Sequence, residues 1–255
     1  MKHPILIPTL ALVAAPALAQ EPCGDMPADT RPIAAARLII EYNATDGDIG
    51  VHGYGDDDGW SELCVFDPSG TLVLHVDPEA QLGDLGLGSF FFESREPPES
   101  VWDYAALKGA FPEGDYAMRA KLFDGTGREG IARFTTLVPR PPEITAPDLV
   151  EDAEEMEPPV LPAADLEVTW TPVTASLDDR APQITGYELI VTDEEYEDAD
   201  GFSKPIFDVH LGPEVTGFTV PAAFLRPGTL YEIEVLALET SGNQTITLGF
   251  FATED

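Results

Sequence analysis

In several runs of this chain apolar residues stand at every second position. In Tyr231-Glu232-Ile233-Glu234-Val235 the apolar side chains take one face and the carboxylates the other. That period belongs to an extended strand with a core on one side and water on the other. Leu166–Trp170 and Gly186–Val191 alternate in the same way, and Ile206–Leu211, Gly217–Val220, Leu230–Leu238 and Thr245–Ala252 extend the series. About seven short strands in about ninety residues imply a β-sandwich. Upstream, strand-like runs cover Arg37–Tyr42, Glu62–Phe66, Thr71–Val76, Gly88–Phe92, Tyr116–Phe123 and Gly130–Leu137. Asp67-Pro68-Ser69-Gly70 and Asp124-Gly125-Thr126-Gly127 supply turns, the second joining two runs as a hairpin. The exception is Ser100–Lys108, whose Ser-x-x-Asp start and three-to-four spacing predict a single short helix.

A chain of 255 residues suits two ordinary domains. Thirteen basic residues stand against 47 acidic ones, a formal net charge of −34. Such a surface excludes binding to nucleic acid through its phosphates, and it repels anionic lipid. Residues 1–19 read as a signal peptide: an apolar run interrupted by Pro16, then Ala17-Leu18-Ala19 as a cleavage site. The run is too short to span a membrane. The expected location is therefore the periplasm or the extracellular space, without membrane insertion. Two cysteines are too few for a four-cysteine zinc site. In an oxidising compartment Cys23 and Cys64 can form one disulfide, tying an N-terminal arm (20–30) to a strand. A first sandwich is expected over 31–138. Val138-Pro139-Arg140-Pro141-Pro142 then opens a Pro-rich acidic linker (139–163), and a second sandwich fills 164–255.

The second half resembles a fibronectin type III domain. The residues that carry this are Leu166-x-Val168-x-Trp170, Gly186-Tyr187-x-Leu189-x-Val191 and Leu225-x-Pro227-Gly228-Thr229-x-Tyr231-x-Ile233-x-Val235-x-Ala237. The resemblance covers about 141–255, and the whole chain looks like a secreted bacterial protein with such a domain. It implies that Trp170 is the core tryptophan and that the Tyr231 hydroxyl caps its own corner. Ser241-Gly242-Asn243 would be the loop before the last strand, and it carries no Arg-Gly-Asp. Pro112-x-Gly114-Asp115-Tyr116 echoes the tyrosine motif in the first half. The expected fold class is therefore mostly β, with two immunoglobulin-like sandwiches in tandem and one short helix in the first.

Enzyme motifs are scarce. The histidines are scattered, and no nucleophile elbow or phosphate loop occurs. Asn43–Gly50 with Asp56-Asp57-Asp58-Gly59 interleaves oxygen ligands with glycine, as a calcium loop does. Asp46, Asp48, Asp56, Asp57 and Asp58 are the candidate calcium ligands. Val51 falls where the EF-hand needs glycine, so the site would be of another kind. His52 beside Asp46 and Asp48 is a weaker, mixed metal alternative. The run from Asp193 to Asp200 is a second acidic cluster, read as a solvated loop. Trp60 and Phe91 are the candidate recognition rings. Phe91 must face away from Phe90 and Phe92, either packed beneath the short helix or presented to a partner. The functional expectation is an exported, non-catalytic binding or adaptor module without a cofactor, whose partner is a protein or a cell surface. The alternative is a calcium-stabilised structural or adhesive protein.

Overall fold

The computed structural model describes residues 22–197 and 204–255. The expected signal peptide, Asp198 and Asp200 lie outside them. The first unit contains β1 (Thr30–Pro32), β2 (Ala35–Asn43), β3 (Asp48–Phe66), β4 (Leu72–Val76), β5 (Leu87–Glu93), β6 (Gly114–Leu122) and β7 (Gly127–Phe134). Two helices interrupt it, α1 (Ala80–Leu85) and α2 (Tyr104–Ala110). The second unit contains β8 (Ile144–Ala146), β9 (Val160–Leu161), β10 (Leu166–Trp170), β11 (Ile184–Asp193), β12 (Ile206–Leu211), β13 (Gly217–Val220), β14 (Leu230–Glu239) and β15 (Gln244–Thr253).

Strand β3 organises the first sandwich. Its first half pairs with β2 and β5, its second half with β4 and β6. Register shifts between Asp56 and Glu62, with Gly59 at φ +81°, mark where it passes from one sheet to the other. A bulged strand that changes sheets makes a corner of a sandwich. Between the layers lie Ile40 of β2, Ile49 and Val51 of β3, Tyr116 and Met118 of β6 and Phe134 of β7. Helix α2 closes the end with the buried Leu107.

Asn43–Gly50 and Asp56–Gly59 were expected as acidic, glycine-containing loops, and the structure makes everything from Asp48 to Phe66 one strand. Ile49, Val51, Gly53 and Gly55 do alternate, but at the last two positions the missing side chain is replaced by a neighbour's ring. A Cβ on Gly53 would run into Phe92, and one on Gly55 into Trp60. Trp60 is thus a core residue, 1% exposed, packed with Leu63, Ala120 and Leu122, and it is not a recognition ring. The helix expected from Ser100 begins at Tyr104, with Asp103 accepting from the Ala106 N–H at 2.7 Å. Helix α1 was not expected. It has no side-chain cap and buries nothing, so it leaves no amphipathic trace in the sequence.

The second unit is a sandwich with the fibronectin type III-like fold. One sheet holds β8, β10 and β13, the other β12, β11, β14 and β15. Trp170, Tyr187, Leu189, Val191, Ile233, Val235 and Phe251 fill the space between. Tyr231 makes the corner: its hydroxyl accepts the Arg226 N–H at 2.7 Å and lies 3.5 Å from the Phe224 carbonyl. The echo in the first unit works alike, the Tyr116 hydroxyl donating to the Pro112 carbonyl at 3.2 Å. Asp193 is buried and pairs with Arg226 at 2.6 Å, so it belongs to the framework rather than to a solvated loop.

The segment 139–163 was expected to be a linker. It contributes β8, paired with β10, and β9, paired with β15. Thr245 and Thr247 hold its prolines in place, donating to the Pro139 and Pro142 carbonyls, each at 2.7 Å. The two sandwiches also share a sheet: β15 pairs in parallel with β2, Gln244 beside Glu41 and Ile246 beside Asn43. A disulfide joins Cys23 to Cys64 with the Cα atoms 6.0 Å apart.

Candidate functional site

The β2–β15 seam makes one continuous sheet of β5, the first half of β3, β2, β15, β14, β11 and β12. Residues opposite one another on neighbouring strands point to the same face. The outer face can therefore be read from the register. Phe91 stands beside Tyr54, Glu93 beside His52, His52 beside Ile39, and Gly50 beside Glu41. Across the seam Glu41 meets Gln244, then Ile246 meets Leu236, Leu248 meets Glu234, and Glu188 lies between Leu236 and His210.

This face has an apolar floor and an acidic rim. Leu236, Ile246 and Leu248 are buried, with Ile190, Leu238 and Phe250 packed against them. At the far end Phe91 is 60% exposed and Tyr54 is 36% exposed. Phe91 is therefore presented outward, with its ring edge-on to His52 at 5.9 Å between centroids. Of the two expected recognition rings, only Phe91 reaches the surface.

The carboxylates of this face crowd one another. Burial is the main cause pushing Glu234 up to about 8, with the Glu232, Glu41 and Glu188 charges adding to it. Burial likewise raises Glu188 and Glu232, reinforced by Asp208 for the first and Glu194 for the second. Few basic side chains stand beside them. His210 Nε2 lies 3.3 Å from Glu188, and Lys204 reaches Glu194 at 3.7 Å.

The expected calcium ligands do not converge. Asp46 sits in the β2–β3 turn, accepting from the Asn43 side chain at 2.9 Å. Asp48 begins β3 and Asp56 lies eight residues further along it, about 26 Å of extended strand. Asp57 is already neutralised by Arg128 at 2.9 Å, with its carboxylate nearly buried, and it also accepts the Ala34 N–H. Among the described residues, none of the five joins a group of three side chains placed to share an ion. One such group does involve His52, with Glu41 and Glu96 rather than Asp46 and Asp48. No local spacing relates these three, so only the register could reveal them.

No family model matches the chain, and no curated protein matches it. Its structural neighbours are tandem fibronectin type III domains and related sandwiches. Chicken CNTN1 domains FN1–FN3 align at TM-score 0.33 and 14% identity, over 91% of this chain and 67% of that one. A two-domain fibronectin type III segment of chicken tenascin gives TM-score 0.29 and 11% identity, over 86% and 99%. A tetra-tandem repeat from the extending region of a large adhesion protein gives 0.28 and 14%, over 86% and 50%. Among the described residues no helix is long and apolar enough to cross a membrane. What stands at the seam is a buried apolar cluster, an exposed aromatic ring and a rim of carboxylates.

Proposed function

We propose that this protein is an exported, non-catalytic binding or adaptor module. Its partner is a protein segment that sets lysine or arginine side chains around an apolar anchor. The observation that carries this reading is the outer face of the shared sheet. There the floor of Leu236, Ile246 and Leu248 lies inside a rim of half-buried, mutually repelling carboxylates. A basic segment would relieve that repulsion at the rim. Phe91 and Tyr54 offer aromatic surface to the same partner, the residue class that dominates interface energetics. Export is supported by the Ala17-Leu18-Ala19 processing pattern and by a disulfide, which persists in oxidising compartments.

The test is fluorescence anisotropy with peptides of matched apolar content, one set carrying lysine and arginine, the other glutamate. The basic set should bind with an affinity that falls as salt rises. Phe91→Ser and Glu188→Gln should each weaken it, the first at all salt concentrations, the second mainly at low salt. Equal binding of the two sets, or binding indifferent to both substitutions, would refute this reading of the face.

A further inference from the structure

Three side chains from separate segments meet where the first sandwich approaches the seam. His52 Nε2 lies 3.1 Å from Glu96 Oε1 and 3.8 Å from Glu41 Oε1. All three ligand atoms fall within 4.8 Å of one another. Donors about 2.1 Å from a transition metal stand roughly 3.0–3.4 Å apart along the edge of an octahedron or tetrahedron. The His52–Glu96 separation matches such an edge, and Glu41 Oε1, at 3.8 Å from His52, has a few tenths of an ångström to close by side-chain rotation.

The surroundings are built around these groups. His52 is buried, and the Phe91 ring edge covers it. Gln244 of β15 donates to Glu41 Oε2, which leaves Glu41 Oε1 turned toward His52. A hydrogen-bonded second oxygen of this kind orients a metal-binding carboxylate. The segment carrying Glu96 is fastened to β3: Ser94 N–H donates to the Val51 carbonyl at 3.0 Å, and the Ser94 hydroxyl accepts from Val51 N–H at 2.9 Å. Glu99 N–H donates to the Gly47 carbonyl at 2.7 Å. Gly50 leaves the space that the Glu96 carboxylate occupies, since a Cβ there would fall on it.

We propose that Glu41, His52 and Glu96 form a binding site for one divalent transition-metal ion, of which zinc is the type. Two carboxylates and a neutral imidazole balance a divalent charge. The imidazole favours zinc over calcium or magnesium, which take oxygen ligands. The three protein ligands leave a further coordination position for water or a partner's side chain. Because Gln244 holds Glu41 across the seam, an ion here would also fasten the first sandwich to β15.

The experiment is isothermal titration of the metal-free protein with zinc, with calcium and magnesium as controls, alongside the single variants Glu96→Gln, His52→Gln and Gly50→Ala. One equivalent of zinc should bind. Glu96→Gln and His52→Gln should weaken it at least tenfold, and Gly50→Ala should do so by displacing Glu96 alone. Cobalt should give the visible absorption of a low-symmetry site in the parent and lose it in His52→Gln, while the far-ultraviolet circular dichroism of that variant stays that of the parent. His210→Gln, in the exposed Glu188, Asp208, His210 group, should leave the affinity unchanged. Absence of stoichiometric zinc, equal affinity in the Glu96 and His52 variants, or loss only in His210→Gln would each overturn the proposal.

Discussion

The Asn243 side chain, wholly buried, accepts the Ile40 N–H at 2.8 Å, joining the last hairpin of the second sandwich to β2 of the first. Its amide also donates to the Thr135 carbonyl at 2.9 Å and the Leu137 carbonyl at 3.1 Å. One side chain thus satisfies three backbone groups from two segments of the first sandwich. Asn243→Ala strands all of them, and each buried orphan costs about 1–3 kcal/mol. The expected loss is at least about 3 kcal/mol, read as a lower urea midpoint. Asn243→Asp should cost as much, because a carboxylate would keep the Ile40 bond while facing two carbonyl oxygens. A loss below about 1 kcal/mol in both variants would show that the seam is held elsewhere.

The Cys23–Cys64 bond closes a loop with a sequence separation of 41. The chain-entropy model assigns such a loop about 4 kcal/mol through the unfolded state. The arm has other anchors, including Cys23 N–H donating to Glu62 at 2.8 Å and the parallel pairing of β1 with β7. The paired substitution Cys23→Ala with Cys64→Ala should therefore cost about 2–4 kcal/mol in urea unfolding, without unfolding the rest at room temperature. Dithiothreitol should reproduce the loss in the parent and leave the double variant unchanged.

Glu234 makes stability depend on pH in a defined direction. Its carboxyl is pushed from an ordinary 4.5 up to about 8, chiefly by burial and then by Glu232, Glu41 and Glu188. The folded chain thus keeps a proton that the unfolded chain releases. The contribution is fully present below about pH 4.5 and is lost as pH rises through about 8. Glu234→Gln keeps the shape and never ionises. Its melting temperature should match the parent near pH 4.5 and exceed it by several degrees at pH 8.5. A pH-independent difference would mean that Glu234 is not the group titrating.

The second sandwich was legible because its strands obey the period of two with real side chains. Leu166–Trp170, Ile206–Leu211 and Gly217–Val220 fall where the alternation puts them. The first half of β3 hid because Gly53 and Gly55 stand where apolar residues would, their volume supplied by Phe92 and Trp60 from elsewhere in the chain. Trp60 was misread for the same reason: its neighbours in sequence are acidic, while its neighbours in space are Leu63, Ala120 and Leu122. Segment 139–163 looked like a spacer because β8 and β9 are only three and two residues long, below any readable period. The acidic face was visible as composition. Its assembly was not, because Glu41, His52, Glu96 and Gln244 meet only through the β2–β3 register, the segment after β5 and the β2–β15 seam.

The two tyrosine corners separate how much each sandwich depends on its turn. In the second, the Tyr231 hydroxyl takes the Arg226 N–H at 2.7 Å, and Arg226 in turn holds the buried Asp193 carboxylate at 2.6 Å. Tyr231→Phe leaves a backbone donor without its partner and loosens the strand end that carries Asp193. About 1.5–3 kcal/mol should be lost. In the first, the Tyr116 hydroxyl donates to the Pro112 carbonyl at 3.2 Å. A carbonyl has a second lone pair and tolerates loss of one donor, so Tyr116→Phe should cost about 0.5–1 kcal/mol. Burial also pushes the Tyr116 hydroxyl up to about 12, so its ionisation in alkaline titration should lag behind an exposed tyrosine. Urea unfolding of the two variants, at one pH, gives the comparison. Equal losses would mean that the hydroxyl bonds do not set the difference, because the two rings are equally buried.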